Sequence, residues 1–264
     1  MPLPKPPKAL APPTLCAAAC AWSACACGKR PPAGQNTRQI NHPHAPTTMQ
    51  QIWLKQEPTH QNLIIYMLGW AATPNAILHI DTPGFDVLAC CNYTQLNRLQ
   101  AKDFARYRRI YLFAWSFGIW VAEQCCTELP LHKAIALNGT PYPVHPEWGM
   151  RLRVVLRSMR AMAKSGTANP FADDAQAGRY MPDGPYPDRP AADKVDELMF
   201  LSGLAEQNSA AHLHWHKAYI ADKDEIFPPA RLWAYWQTVG LGTGFDSYHY
   251  PFANPAIVLN ELKN

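Results

Sequence analysis

The chain has 264 residues with 24 Lys and Arg, 20 Asp and Glu, 10 His, 8 Cys and 26 Pro, a formal net charge of +4. The surplus is local: residues 1–48 hold five basic side chains and no acidic one, which leaves 19 basic against 20 acidic over residues 49–264. A nucleic-acid binder needs its positive charge on the folded surface, so that class is set aside, and no run of about 18 apolar residues exists to span a membrane.

Residues 1–48 also carry ten of the prolines around an Ala/Cys-rich patch with Cys16, Cys20, Cys25 and Cys27. Proline removes backbone donors and the patch is too short to bury a core, so a disordered leader is expected. Pro12 and Pro13 break the apolar stretch that a secretion signal needs, and the cysteine spacing matches no zinc ribbon or finger. Met49 opens the first stretch of ordinary globular composition and is the expected true or alternative start. Residues 49–264 are enough for one domain with a substantial core.

Within that domain, Leu63-Ile64-Ile65-Tyr66-Met67-Leu68 is a continuous apolar run ending at Gly69, as a strand buried on both faces requires. Similar runs follow at 85–91, 109–114 and 133–137. Between the last two, 117–129 reads as a helix with Ile119, Val121 and Ala122 among polar positions. Strand, turn, helix and strand at this spacing predict an α/β fold, a mostly parallel sheet with flanking helices. Past Asn138-Gly139-Thr140 the pattern changes: 141–150 is rich in Pro and aromatics, 151–164 is a basic amphipathic helix, 165–189 a loop, and 195–205 a second helix. The expectation is an inserted helical lid over one edge of the sheet, at about 141–211. A strand over 214–221 and a helix over 228–239, opened by Pro228-Pro229, resume the α/β order. The neighbouring pairs Cys90-Cys91 and Cys125-Cys126 are poorly placed to bond each other and read as small buried residues in a reducing compartment, the cytoplasm.

The segment Tyr111-Leu112-Phe113-Ala114-Trp115-Ser116-Phe117-Gly118 sets a lone serine between a buried strand and a helix. This is the nucleophile elbow G-x-S-x-G of serine hydrolases with its first glycine replaced by Ala114. A hydroxyl there sits at a helix N-terminus, where backbone N–H groups stabilise an oxyanion; a serine that merely caps the helix is the plainer alternative. Asp224 follows a strand in a loop ending at Pro228, and His249 lies in a turn-rich loop near the C-terminus. Ser116, Asp224, His249 is the hydrolase order of nucleophile, acid and base. Asp222 is the rival acid, set behind Asp224 because it still lies at the strand end. His249 read by itself is a surface-loop histidine. The backbone N–H groups of Trp70, just past the first apolar strand, and Phe117, just past the serine, are the expected oxyanion donors.

These residues together resemble the BioG-type pimeloyl-[acyl-carrier protein] methyl ester esterases, a compact branch of the α/β-hydrolases. The resemblance runs over essentially all of 49–264 through Leu68-Gly69-Trp70, Ala114-Trp115-Ser116-Phe117-Gly118-Ile119-Trp120-Val121-Ala122-Glu123, Leu137-Asn138-Gly139-Thr140, Asp224-Glu225-Ile226-Phe227-Pro228-Pro229-Ala230 and His249-Tyr250. It implies hydrolysis of the methyl ester of a pimeloyl-carrier substrate to methanol and the free acid in biotin synthesis, without metal or organic cofactor, and an acyl carrier protein as partner. Arg153, Arg157, Arg160 and Lys164 lie at i, i+4, i+7 and i+11, one stripe of the basic helix, with Leu152, Val155, Leu156, Met159 and Met162 covering much of the rest. Acyl carrier proteins are acidic, so the stripe is a candidate docking surface; a solvated helix face has the same charge pattern.

Other readings compete. His212, His214 and His216 would share one face of the strand at 214–221, but no carboxylate or cysteine cluster accompanies them and no metal is expected. A general carboxylesterase or acyl thioesterase would share the three catalytic candidates. A non-catalytic relative that only binds a carrier would share the fold.

Overall fold

The computed structural model describes residues 48–165 and 184–263, with backbone only for 162–165. Residues 1–47 with the leader cysteines, the middle of the insertion at 166–183 and the Lys164 side chain therefore lie outside the described residues, whereas Met49, the expected start, is described and buried.

Seven strands form one sheet: β1 (Gln50–Lys55), β2 (Asn62–Met67), β3 (Phe85–Cys91), β4 (Arg109–Trp115), β5 (Leu131–Leu137), β6 (Lys217–Ala221) and β7 (Thr243–Phe245), in the spatial order β1-β3-β2-β4-β5-β6-β7. Only β1 runs antiparallel. It is a half-exposed edge strand, so it lacks the solid apolar run that marks β2, β3 and β4 in the sequence. The helices are α1 (Phe117–Cys125), α2 (Leu152–Ser165), α3 (Ala191–Asn208), α4 (Pro229–Trp236) and α5 (Ala256–Leu262).

Period-two alternation divides the strand side chains between two apolar layers. Leu63, Ile65, Met67, Leu112 and Ala114 pack on the side of Ile119, Trp120 and Val121 of α1, whereas Ile64, Tyr66, Tyr111 and Phe113 pack on the side of Ile257 and Val258 of α5. Each fully buried Leu or Ile contributes about 2 kcal/mol of transfer free energy. The adjacent Cys90 and Cys91 fall in opposite layers, and Cys90, Cys91, Cys125 and Cys126 are all buried free thiols.

Register brings the carboxyl ends of the parallel strands level. Met67 lies beside Cys90 and Ala114, Trp115 beside Leu137, and Leu137 beside Tyr219. The loops that follow, at 69–71, 116, 138 and 224, are gathered along one edge of the sheet. Chain order reverses between β2 and β4, the topological position where open α/β sheets bind ligands. The insertion between β5 and β6 supplies α2 and α3, which pack on each other.

Several expected boundaries move. The helix expected over 117–129 ends at Cys125, where the Cys126 N–H makes the last bond to Ala122 O. The helix expected over 228–239 is α4 followed by a 3-10 turn, Gln237–Val239, closed by Gly240 at φ +69°. The strand expected over 214–221 begins at Lys217. His216 ends the ladder: its N–H donates to Ala134 O at 2.9 Å, and its own Nδ1 accepts the Ala134 N–H at 3.1 Å. His212 and His214 therefore precede the strand and do not share a strand face with His216. Among the described residues no group of three His, Cys, Asp or Glu is arranged to hold a metal, and no helix is long and apolar enough to cross a membrane.

Gly118 fixes how α1 meets the sheet. A Cβ there would stand 2.1 Å from Met67 O and 2.6 Å from Leu68 O. Both obstacles are backbone, so they cannot rotate away. Gly118→Ala is expected to destabilise the domain by about 3 kcal/mol in urea titrations, the upper end of the usual cost of overpacking; an unchanged midpoint would refute this packing.

Candidate active site

Ser116 occupies the turn between β4 and α1 at φ +59° and ψ −128°, a sparsely populated conformation for a residue with a Cβ. Its neighbours hold it there. The Ser116 N–H donates to Leu137 O at 2.9 Å, and its carbonyl accepts the Ile119 N–H at 3.1 Å. Behind it, a Cβ on Gly139 would lie 2.8 Å from Ser116 O. The Ser116 hydroxyl makes no capping bond to α1, which removes the plain N-cap reading. It meets an imidazole instead.

His249 is 4 % exposed and hydrogen-bonded through both ring nitrogens: Nδ1 to Asp224 Oδ2 at 2.8 Å and Nε2 to Ser116 Oγ at 3.0 Å. A carboxylate at Nδ1 requires a proton on that nitrogen, which leaves Nε2 as the acceptor for the serine proton. Asp224 is fixed in turn, because its Oδ1 accepts the N–H groups of Ile226 and Phe227, both at 2.9 Å. Asp222 lies at the sheet edge, its N–H bonded to Phe245 O at 3.1 Å. The acid facing His249 is thus Asp224. Phe227 stacks on the imidazole with ring centroids 5.9 Å apart and planes 12° apart, and Trp115 lies 5.5 Å away on a tilted plane. These rings keep the network out of water.

The Phe117 N–H is the first of α1, a position with no intrahelical acceptor. On the β2 side, the Leu68, Ala71 and Ala72 N–H groups are bonded to Cys90 O, Glu197 Oε2 and Gly69 O respectively. Trp70 lies within this run, and its indole N–H donates to Lys194 O of α3 at 2.7 Å.

Two residues without a role in the sequence reading hold these loops. Glu197 of α3 is fully buried; it accepts the Ala71 N–H at 3.2 Å and the Tyr93 N–H at 2.7 Å, and pairs with Arg189 at 2.7 Å. Ala71 has φ +63°, so the carboxylate secures a turn that its own residue disfavours. Asn138, also fully buried, bonds the His249 loop and the end of β6. Both act across more than 80 residues of sequence, and no local pattern reveals such contacts.

The rival nucleophiles are the thiols. Burial pushes Cys91 and Cys125 up to about 12 and Cys90 and Cys126 well above the ordinary thiol value. They stay protonated and inert. On α2, Arg153, Arg157 and Arg160 are exposed while Val155 and Met159 are buried, as the expected amphipathic stripe requires.

Residues 49–257 match the family described as pimeloyl-ACP methyl esterase BioG. The chain belongs to the BioG family. The crystal structure of BioG from Haemophilus influenzae is 29 % identical at a TM-score of 0.67, with 78 % of this chain and 95 % of that one covered. An uncharacterised protein of Haemophilus influenzae is 32 % identical over 200 residues, 73 % of this chain and 90 % of that protein. A malonyl-[acyl-carrier protein] O-methyltransferase of Bacteroides fragilis is 27 % identical over 195 residues, 68 % of this chain and 37 % of that protein. MGS-M2, an α/β hydrolase from a Medee basin deep-sea metagenome library, 10 % identical at a TM-score of 0.52 over 82 % of this chain and 94 % of that one, shares the fold. Family and sheet topology agree on an esterase of the α/β-hydrolase superfamily.

Glu197→Gln keeps the shape of the side chain, removes its charge beside Arg189, and turns a donor toward a donor. A loss of about 3 kcal/mol is expected in denaturant titrations. A change below about 0.5 kcal/mol, the scale of ordinary surface substitutions, would contradict the buried-carboxylate account.

Proposed function

We propose that this BioG-family chain hydrolyses the methyl ester of a pimeloyl group carried on acyl carrier protein, releasing methanol and leaving the carrier-bound free acid for biotin synthesis. The observation that carries the reading is the buried imidazole of His249, bonded to Asp224 at 2.8 Å and to Ser116 Oγ at 3.0 Å. His249 Nε2 takes the serine proton as Oγ attacks the ester carbonyl, and Asp224 stabilises the imidazolium and keeps its tautomer. The N–H groups of Trp70 and Phe117 bind the oxyanion. Collapse expels the methoxy group, which leaves as methanol with the proton from His249. A water activated by the same nitrogen then cleaves the acyl-serine and frees the enzyme.

Arg153, Arg157 and Arg160 receive the acidic carrier, and α2 and α3 act as the lid over the acyl chain. The methyltransferase relative is named for a carrier-linked acyl group, which fits such a partner. Its own chemistry does not transfer, since only 37 % of its length is matched and a serine, imidazole and carboxylate in series are suited to acyl transfer.

Pimeloyl-carrier methyl ester supplied to wild type and to Ser116→Ala should release methanol with the wild type alone, the variant losing about 1,000-fold or more. Methanol from the variant at the wild-type rate would reject Ser116. Faster cleavage of the thioester than of the methyl ester in the same molecule would replace the proposal with a thioesterase. Charge reversal at Arg153 and Arg157 together should weaken carrier-linked turnover and spare a small ester; equal loss on both would reject docking on α2.

A further inference from the structure

Asn138 follows β5 directly and is fully buried at φ +48°, a backbone region that L-residues seldom occupy and that Asn tolerates better than most. Glycine would fit this backbone with less strain, so the side chain needs a reason of its own. Its contacts supply one. Nδ2 donates to the carbonyl of His249 at 2.8 Å and to that of Tyr248 at 3.1 Å, while Oδ1 accepts the Ala221 N–H at 2.9 Å. Those partners determine which way the amide faces: turned over, it would set an acceptor against two carbonyls and a donor against an N–H. All three side-chain bonding groups point at backbone that carries another proposed catalytic residue.

Ala221 is the last residue of β6, and its carbonyl accepts the Asp224 N–H at 3.4 Å. The amide oxygen therefore anchors the strand end from which the acid projects. The amide nitrogen anchors the loop that carries the base, and the His249 carbonyl receives a second bond at 2.9 Å from the indole of Trp115, the residue before the nucleophile. The main chain of Asn138 adds a bond to Tyr219 O at 3.0 Å. One side chain thus spans the β6 terminus and the His249 loop; the main chain joins the two further out, through the Lys223 N–H on Ser247 O at 3.0 Å, and the amide carries that connection on to the His249 carbonyl.

We infer that Asn138 is a positioning residue, whose amide sets the separation of Asp224 and His249 and so keeps the imidazole aligned on Ser116. It rests on the proposed roles of those three residues and adds a fourth that touches neither substrate nor reacting atoms. Removing the amide takes this partner from the buried Ala221 N–H and the half-buried Tyr248 carbonyl, leaves the His249 carbonyl to the Trp115 indole, and loosens the two loops at the imidazole; a misplacement of about 1 Å at the reacting atoms costs on the order of 100-fold.

The test compares wild type with Asn138→Gly, which keeps the backbone conformation and deletes only the side chain. Hydrolysis of p-nitrophenyl acetate, thermal unfolding and the low-field proton NMR signal of the His249 Nδ1–H are measured on both. The expected result is a folded variant with kcat down about 100-fold, KM within about threefold of wild type, and a shifted or lost imidazole signal. A folded variant with wild-type kcat, or with a lower kcat but an unchanged imidazole signal, overturns the inference. Should Asn138→Gly not fold, Asn138→Asp, of the same shape but with acceptors facing the two carbonyls, takes its place, and an unaltered kcat there overturns it equally. A wild type inert to the ester sinks the catalytic reading instead, and the imidazole signal alone then decides the role of Asn138.

Discussion

A buried imidazole bonded at both nitrogens imposes most of what surrounds it. His249 must receive a carboxylate at one edge and an alcohol at the other, at 2.8 and 3.0 Å, and the three residues come from chain positions as far as 133 apart. Hydrogen bonds of that length tolerate little drift. The sheet supplies the rigidity, since β4 and β6 flank β5 in parallel register and deliver Ser116 and Asp224 to the same edge. The loop carrying His249 leaves the sheet after β7; the Lys223 N–H on Ser247 O holds its start, and the Asn138 amide and the Trp115 indole fasten it at His249.

An unsatisfied buried donor or acceptor costs on the order of 1–3 kcal/mol, and at several points near this edge the backbone that leaves the ladder is met by a buried carboxylate. Glu197 serves the turn after β2 and the start of the loop after β3. Glu123 does the same for the approach to β6, accepting the His212 and Leu213 N–H groups and the Trp215 indole at 2.6 to 2.8 Å. Burial raises the Glu123 carboxyl above its ordinary value, and these three bonds work against the rise. The insertion is thereby joined to the site in two ways, through the Glu197 carboxylate on Ala71 and through the Trp70 indole on Lys194. In the proposed function, a carrier seated on α2 would press on a body already fastened to an oxyanion donor.

Much of the architecture was legible because it is written locally. Solid apolar runs marked β2, β3 and β4, and the serine between strand and helix marked the turn that Gly118 makes possible. Asp224 and His249 were singled out as candidates by their order along the chain and by the loops they occupy, and the structure brings both into one hydrogen-bonded series with Ser116. The edge strand β1, the short β7 and α5 escaped because each is half-exposed or too short to show a period. The histidines at 212, 214 and 216 imitated a strand; the pairing of Ile135 with Lys217 and the ring of His216 on Ala134 end the ladder before them. Asn138 stood in the sequence only as part of Leu137-Asn138-Gly139-Thr140, because its partners are 83 and 111 residues away.

Everything proposed for the site depends on the Ser116 alcohol being activated by the His249 ring. The direct measurement is the rate at which a fluorophosphonate labels the protein, with the adduct located by mass spectrometry, in wild type and in His249→Ala. The account predicts a single adduct on Ser116, formed about 100-fold or more slowly once the imidazole is gone. An adduct on another residue, or equal labelling rates in the two proteins, would contradict it.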